Sequence, residues 1–266
     1  MGGVSSPLDV ARVRTALAGT RMADVRYVVE TGSTNTDAQA LLGDTEHAGA
    51  TLVAERQTAG AGRKGRAWIA PSGSALLFTA ILPEPVEASA LWAVPFWIAL
   101  GVADGVERTC GVALDLVWPN DLFARGRKCG GILSVARIVG TRAYVGCGVG
   151  LNVLRPADDG ELAAIVPAPI FLSDLLAAPS REAILAAILR AFDTNLGLLE
   201  DPDRVANAWE RRANLAGTPY RFVRDADGVE RDGVALRIGR HGTLVVAVAG
   251  AEEIVDMADV RVLREA

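Results

Sequence analysis

Thiol and imidazole side chains are scarce in this sequence. It has three cysteines, Cys110, Cys129 and Cys147, and two histidines, His47 and His241, among 266 residues. Because the cysteines are odd in number and lack C-x-x-C spacing, and because histidines are so few, the sequence predicts no His/Cys metal site. Reduced thiols without a disulfide framework are typical of the cytoplasm, where we expect this protein.

A basic excess is also missing, since the formal net charge is −5. General nucleic-acid binders usually carry an excess of Lys and Arg, so we predict no such role. Residues 1–9 lack a signal-peptide pattern, and the most apolar stretch, 91–102, is too short to span a bilayer. Barely two dozen residues precede the first predicted strand, too few for a helix-turn-helix domain. We therefore expect neither a DNA nor a membrane partner.

The chain divides into two regions with different strand patterns. Up to residue 216, β-branched runs alternate with amphipathic helices, which is typical of a domain that mixes helices and strands. Beyond residue 217, short strands follow one another closely, and turn dipeptides such as Asp227-Gly228 separate them, as in a small barrel. The predicted strands of the first region are 25–30, 51–55, 75–82, 113–117, 131–138 and 142–149, and its main helices are 34–42, 88–108, 181–199 and 205–215.

A glycine-rich basic segment, 60–65 (GAGRKG), follows the predicted strand 51–55. It satisfies G-x-G-x-x-G, but a dinucleotide fingerprint must open a helix, and this segment leads through Trp68 to another strand. A Walker A loop is excluded because Lys-Ser/Thr does not follow the last glycine. Cations among glycines, whose amides approach an anion closely, predict a loop that binds nucleotide phosphates. The alternatives are a solvated surface loop, and a Trp68 that anchors the loop instead of stacking on a base.

Four ordered blocks of the sequence are considered together: 33–35, 54–68, 118–133 and 148–153. Residues 54–68 (AERQTAGAGRKGRAW) resemble the signature segment of biotin protein ligases, and residues 148–153 (GVGLNV) resemble the closing glycine–asparagine strand of that family. The run 118–122 (WPNDL) with 128–133 (KCGGIL) is similar to its lysine block, and residues 33–35 (STN) to its biotin-contacting turn. The resemblance covers nearly the whole chain. It implies an α+β catalytic domain over 1–216, with a mixed β-sheet flanked by helices as in class II aminoacyl-tRNA synthetases, and an SH3-like β-barrel over 217–266.

The resemblance also implies an activity in two steps. Biotin and ATP form biotinyl-5′-AMP, and a lysine of a biotin carboxyl carrier protein or domain, part of an acyl-CoA or pyruvate carboxylase, then takes the biotin. Mg²⁺ accompanies the nucleotide and binds mostly through phosphate oxygens and water, so no dedicated metal site is predicted. Without the DNA-binding domain of bifunctional relatives, the protein is expected to be a ligase only, as a monomer or weak homodimer.

Site residues follow from the matching blocks. Lys128 is expected to bridge the biotin carboxylate and the α-phosphate, Arg63 to bind phosphates and retain the adenylate, and Asp121 to orient the acceptor amine or help hold Mg²⁺. The residues expected to bind ATP are Arg63, Arg66, Trp68, Asn120, Lys128 and Asn152. Those expected to bind biotin are Ser33, Thr34, Asn35, Gln57, Gly60, Ala61, Gly62, Arg63, Lys128, Gly130 and Gly131.

Two positions depart from the family pattern. Ala61 stands where an Arg is usual, so closure of the loop over biotin is expected to be looser or differently organised, and Val117 stands where a Lys often precedes the Trp-Pro-Asn-Asp run. Alternative readings stay open at this stage. They are a lipoate-protein ligase, a sensor that retains biotinyl-adenylate without transferring it, and, more remotely, a Rossmann oxidoreductase. Ser33 and Thr34 also suit a helix N-cap, and Trp92 and Trp97 suit a core helix.

Overall fold

The computed structural model describes residues 7–158, 160–258 and 260–263, and their strands form two sheets. The first sheet contains β1 (Val25–Thr31), β2 (Thr51–Gln57), β3 (Ala75–Ile81), β4 (Val86–Glu87), β5 (Asp115–Val117), β6 (Asp121–Ala124), β7 (Arg127–Val139) and β8 (Arg142–Asn152). The second contains β9 (Pro219–Arg224), β10 (Glu230–Ile238), β11 (Leu244–Val248), β12 (Ala251–Val255) and β13 (Val260–Leu263). The α-helices are α1 (Val10–Ala16), α2 (Thr34–Leu41), α3 (Val94–Cys110), α4 (Arg181–Asn195) and α5 (Pro202–Ala213).

The first sheet is mixed, as expected. Its strand order is β1-β2-β3-β8-β7-β6-β5, with β4 paired to β8, and β1 runs parallel to β2 while the other pairs are antiparallel. A parallel pair needs a crossover connection, and α2 supplies it between β1 and β2. The apolar residues Ala38 and Leu42 pack with Ile81 in a cluster separate from the main core. Helix α2 therefore covers a surface of the sheet away from the larger helices, and its N-terminus starts beside β3.

Helix α3 is the central core helix. The predicted helix 88–108 begins as a 3₁₀ segment, Ala88–Ala93, and continues as α3 with Pro95 in its first turn, where the ring is tolerated. A Cβ at Gly101 would lie 2.5 Å from the Phe192 ring, so the absence of a side chain lets α3 and α4 approach closely. The stretch Ala88–Cys110 is long and apolar enough to cross a membrane by length and composition, but most of it is buried in the fold. This burial is that of a core helix.

The second sheet has the antiparallel order β12-β11-β10-β9-β13. The predicted strands beyond residue 217 are present, with tight turns between them, and the α+β fold class is confirmed. The expected barrel differs in one respect: in the part of the chain that the structure describes, β12 and β13 do not pair, so the sheet is an open path. The predicted domain boundary at residue 217 stays a prediction. Residues of β9 to β12 belong to the same hydrophobic cluster as α3 and α5, so the core does not divide at that residue.

Candidate active site

A cavity of about 330 Å³ brings the predicted segments together. It lies where the start of α2, the basic loop after β2 and strands β6, β7 and β8 meet. Two of the predicted residues, Gly60 and Gly130, are outside its lining, and both allow close backbone packing. A Cβ added at Gly60 would lie 2.7 Å from the Trp68 carbonyl oxygen, and one added at Gly130 would lie 2.8 Å from the Gly150 carbonyl oxygen. The predicted residues that line the cavity are Ser33, Thr34, Asn35, Gln57, Ala61, Gly62, Arg63, Arg66, Trp68, Asn120, Asp121, Lys128, Gly131 and Asn152.

Strand β8 forms a wall of the cavity from which side chains are missing. A Cβ at Gly148 would lie 2.2 Å from Asn35 Oδ1, and a Cβ at Gly150 would lie 2.5 Å from Trp68 Cε2. Alternate residues of a strand share one face, so glycines at 148 and 150 leave one continuous depression that Asn35 and Trp68 fill. Sequence reasoning used this strand mainly for Asn152. The glycines at every second position were the signal for its second role.

One end of the cavity carries neutral hydrogen-bonding groups. Gln57 Oε1 accepts from the Thr34 backbone N–H at 2.8 Å and from the Thr34 hydroxyl at 3.0 Å. Asn35 Nδ2 donates to the Leu133 carbonyl at 2.8 Å, and Thr79 Oγ1 lies 2.7 Å from Asn35 Oδ1. Thr79, which is fully buried, was not predicted from the sequence. These bonds fix the side chains of α2 against β3 and β7.

Ser33 occupies the N-cap position of α2 but its side chain makes no capping hydrogen bond. Gln57 takes the backbone donor of Thr34 instead. Ser33 therefore occupies the predicted N-cap position, but its hydroxyl does not cap the helix.

The cation and carboxylate of the predicted lysine block form an ion pair. Lys128 Nζ lies 2.7 Å from Asp121 Oδ1, and the two side chains are 33% and 8% exposed. The ammonium also lies 5.6 Å from the centroid of the Trp68 ring, within reach of a cation–π interaction. Arg125 and Gly126, with φ of 47° and 72°, make the tight turn that places β7 beside β6. Lys128 therefore lines the cavity, together with Asp121 and Trp68.

The basic loop is closed on itself by backbone hydrogen bonds. The Trp68 N–H donates to the Gly60 carbonyl at 2.8 Å and the Gly62 N–H to the Arg66 carbonyl at 2.6 Å, with a β-bridge between Ala61 and Ala67. No α-helix follows before β3, which agrees with the exclusion of a dinucleotide fingerprint. Trp68 Nε1 is buried and lacks a hydrogen-bond partner among the described residues.

Three polar side chains of the cavity lining, Asn120, Asn152 and Arg63, contact backbone carbonyls or one another. Asn120 Nδ2 donates to the Ile132 carbonyl at 2.7 Å, and its Oδ1 accepts from Arg63 Nη1 at 3.5 Å. Asn152 Nδ2 lies 3.3 Å from the Ile170 carbonyl. Arg63 Nη2 additionally donates to the Met257 carbonyl beyond β12. Arg63 thus links the cavity wall to the second sheet.

A further wall, residues 165–169, was not predicted from the sequence. Ile165, Val166, Pro167 and Pro169 line the cavity, and Arg127 fixes this segment by donating to the Pro169 carbonyl at 2.7 Å. Behind it, Arg155 pairs with Asp174 and holds the pKa of that carboxyl below its ordinary value by hydrogen bonding. The only sign of the wall 165–169 in the sequence was an apolar, proline-rich run between β8 and α4.

Thiol and carboxylate side chains are the remaining groups with possible reactive or metal-binding roles. The described part of the chain contains no group of three or more His, Cys, Asp or Glu side chains that could hold a metal ion. Cys129 and Cys147 are buried, and desolvation raises the pKa of Cys129 to about 12 and that of Cys147 still further. A thiol that stays protonated in an apolar environment is a packing group, not a nucleophile.

Comparison with known proteins agrees with the geometry. Residues 27–152 match the model of the biotin/lipoate A/B protein ligase family. The chain is 32% identical to the biotin–[acetyl-CoA-carboxylase] ligase of Mycobacterium tuberculosis, with 97% of each chain covered, and 29% identical to that of Paracoccus denitrificans, with 88% of this chain and 98% of the relative covered. The fold is that of the biotin protein ligase from Aquifex aeolicus in complex with biotin and ATP, with a TM-score of 0.72, 20% identity, and coverage of 91% of this chain and 99% of the other. This chain belongs to the biotin protein ligase family.

Proposed function

We propose that this chain is an ATP-dependent ligase that activates biotin as biotinyl-5′-AMP and transfers it to a lysine of a biotin carboxyl carrier protein or domain. The observation that carries the proposal is the position of Lys128. Its ammonium lies beside Asp121 and Trp68 in a cavity that the cationic loop and the neutral hydrogen-bonding groups also line. One cavity thus offers separate environments for a phosphate chain and an uncharged ring.

In the first step, a biotin carboxylate oxygen attacks the α-phosphorus of ATP, and the bond to pyrophosphate breaks. Both reactants are anions, so charge repulsion dominates the barrier and preorganised cations lower it. Lys128 stabilises the charge that develops between carboxylate and α-phosphate, Arg63 retains the adenylate, and Arg66, exposed at the rim, binds the β- and γ-phosphates. Loss of one such group typically costs about 2.7–4 kcal/mol in the transition state.

The neutral end of the cavity suits the ureido ring of biotin. Ser33, Thr34, Asn35 and Gln57 present hydroxyl and amide groups without a formal charge. Internal hydrogen bonds hold Thr34, Asn35 and Gln57 in place before a ligand arrives. A buried charge at this end would oppose an uncharged ring. Gly131 lines the cavity without a side chain, and Gly130 lets the backbone behind it pack closely.

Trp68, Asn120 and Asn152 are assigned to the nucleotide. The Trp68 ring lines the cavity beside the lysine ammonium, where it provides a flat apolar surface for the nucleoside. Its buried Nε1 lacks a partner among the described residues, and an acceptor on the bound nucleotide would remove the cost of that unsatisfied donor.

In the second step, the amine of the acceptor lysine attacks the carbonyl carbon of the adenylate, an amide bond forms, and AMP leaves. Asp121 is the buried carboxylate nearest to Lys128, and it orients the incoming amine. Mg²⁺ would be held mainly by the phosphates and water, because Asp121 is already paired with Lys128 and the described residues include no group of three or more His, Cys, Asp or Glu side chains that could hold a metal ion. Relatives are named for acetyl-CoA carboxylase, and a carrier domain of that enzyme class is the proposed acceptor.

Ala61 replaces a side chain that relatives are expected to place over biotin. It lines the cavity and pairs through its backbone with Ala67, which supports closure of the loop by main-chain bonds in place of an Arg side chain. We further propose that the protein works in the cytoplasm as a monomer or weak homodimer, without DNA or a membrane as partner. Its acidic net charge and free thiols support this placement.

Incubation with labelled ATP, a carrier domain, and either biotin or lipoate tests the function. We expect labelled biotinyl-adenylate, and a carrier whose mass rises by one biotinyl group, with biotin only. Labelling with lipoate but not biotin would identify a lipoate-protein ligase, and adenylate without transfer would favour a sensor.

Lys128→Ala tests the residue that carries the proposal. We expect loss of adenylate formation by at least about a hundredfold, as for removal of a group that stabilises transition-state charge. The far-ultraviolet circular dichroism spectrum is the control and should stay that of wild type, whereas the unfolding midpoint should fall because the buried Asp121 carboxylate loses this partner. Near-normal turnover would show that Lys128 is not the activating cation.

A further inference from the structure

The tip of the basic loop contacts the second sheet. Lys64 Nζ forms an ion pair with Asp225, which directly follows β9, and Arg63 Nη2 donates to the Met257 carbonyl, which follows β12. Lys64 also has φ of 56°, a left-handed conformation that a lysine adopts only when its surroundings hold it there. Two consecutive residues of the loop are therefore bound to a part of the chain about 160 to 190 residues away.

We propose that Asp225 is a positioning residue for the ligase reaction. Together with the Met257 carbonyl, it holds the basic loop over the cavity and so controls how long the adenylate is retained. The inference rests on the proposed function. It assigns part of the control of the active site to the second sheet.

Arg63 connects the basic loop both to the cavity wall and to the second sheet. One guanidinium nitrogen reaches Asn120 in the cavity wall at 3.5 Å, and the other reaches Met257 in the second sheet. Movement of the loop tip away from the second sheet therefore pulls Arg63 away from Asn120. Because Arg63 is the side chain assigned to adenylate retention, release of the loop tip weakens that retention.

The Lys64–Asp225 pair suits a contact that opens in each catalytic cycle. The two side chains are 32% and 55% exposed, so the pair is weak and salt-sensitive. A contact of this strength changes an equilibrium by about two- to fivefold. Such a contact favours the closed loop without preventing substrates from entering.

The lysine content of the chain provides a direct readout. Lys64 and Lys128 are the two lysines in the sequence, among 27 Lys and Arg residues. A small amine reagent such as the N-hydroxysuccinimide ester of acetate therefore reports on the loop tip through Lys64, with Lys128 as an internal reference. This measurement needs neither ATP nor biotin.

The test compares Asp225→Ala with a matched control, Asp232→Ala. Asp232 also forms an exposed ion pair in the second sheet, 2.8 Å from Arg221, but it contacts no residue of the loop among the described pairs. We expect Asp225→Ala to raise Lys64 acetylation and the release rate of biotinyl-adenylate about two- to fivefold. The KM for ATP should rise while single-turnover adenylate formation at saturating ATP stays within about twofold.

Charge reversal separates the ion pair from a general effect on folding. Lys64→Asp or Asp225→Lys alone should speed adenylate release, and the double variant Lys64→Asp/Asp225→Lys should restore it. In 0.5 M salt, the difference between wild type and Asp225→Ala should shrink because exposed pairs are screened.

Unchanged Lys64 acetylation in Asp225→Ala would overturn the inference, and so would increased acetylation with unchanged adenylate release. Failure of the proposed function has a different signature. Wild-type protein would then form no adenylate, while Lys64 acetylation would still differ between the two variants.

Discussion

Single residues shape the cavity as much by what they lack as by what they present. Gly148 and Gly150 leave space in β8 that Asn35 and Trp68 occupy, and Ala61 adds little bulk at the loop. The reacting groups can therefore lie close to the backbone of the sheet. Backbone rigidity is then transmitted directly to side chains that must keep their geometry.

Gly150→Ala tests this arrangement. The new Cβ would lie 2.5 Å from Trp68 Cε2, so the indole must leave its place. We expect a weaker affinity for ATP, by about tenfold or more, because base stacking on an aromatic ring is worth about 1–3 kcal/mol. Isothermal titration calorimetry with ATP measures the affinity.

Gly197→Ala is the matched control, because a Cβ at that position meets nothing within 4 Å. Wild-type affinity in Gly150→Ala would show that the Trp68 ring does not contribute to nucleotide binding. A double variant that combines Gly150→Ala with Trp68→Ala should not regain the affinity for ATP, because the indole is then absent.

Residue types in the cavity were largely predictable from the sequence. Cations among glycines and the block 118–133 identified Lys128, Arg63 and Asp121, and the structure places all three at one cavity. Thr79 and the contact of Arg63 with Met257 were not predictable. Those depend on which strands become neighbours, and local sequence carries no information about partners that are distant along the chain.

At the scale of elements, a buried ion pair joins β2 to α4. Arg181 Nη1 lies 2.5 Å from Glu55 Oε1, and the side chains are 4% and 8% exposed. Tyr27 and the Leu8 backbone N–H also donate to the Glu55 carboxylate, so its second oxygen is satisfied as well. A buried charge that keeps its partner costs little, whereas one that loses it is strongly destabilising.

We predict that Glu55→Gln lowers the free energy of unfolding by about 3–5 kcal/mol, because the buried Arg181 guanidinium loses the carboxylate that opposes its charge. Denaturant melts monitored by circular dichroism give this value. Glu30→Gln on β1 is the control: its pair with Arg56 has both side chains 51% exposed, and such pairs contribute at most about 1 kcal/mol. Equal effects of the two substitutions would contradict the assigned burial.

The bounds of the helices and strands were easier to predict from the sequence than the order in which the strands pair. Periodicity predicted α2, α4 and most strands within a few residues. Strand β6 (Asp121–Ala124) was missed, because Pro119 and the polar residues after it read as a turn. The order β1-β2-β3-β8-β7 could not be read from local patterns, since β3 and β8 pair across about seventy residues and only the resemblance implied a mixed sheet.

At the scale of the whole molecule, the two sheets share one hydrophobic core. Phe222 and Leu244 of the second sheet belong to the same buried cluster as Phe96 of α3. Trp118 connects the sheets by polar bonds as well: its indole N–H donates to the Gly242 carbonyl at 3.0 Å, and its backbone N–H donates to the Tyr220 hydroxyl at 3.1 Å. Trp118 directly precedes the block that contains Asn120 and Asp121.

Tyr220→Phe should therefore affect the molecule as a unit. It leaves the buried Trp118 N–H without that acceptor, at a cost of about 1–3 kcal/mol. We expect a lower midpoint in one cooperative transition, seen alike by far-ultraviolet circular dichroism and by tryptophan fluorescence. Tyr144→Phe, at a half-buried tyrosine of β8, should leave the midpoint near wild type. Two separate transitions would show that the second sheet unfolds independently.

The two glycines of β8 at the cavity also limit how the substrate range of this enzyme can be engineered. Glycine is the smallest residue, so the floor of the cavity at Gly148 and Gly150 cannot be deepened by substitution. Room for a bulkier biotin analogue has to come from the opposite surfaces, the basic loop at Ala61 and the wall at residues 165–169. Narrower selectivity is easier to reach, because a side chain added at Gly148 or Gly150 displaces Asn35 or Trp68, and both of these side chains line the cavity.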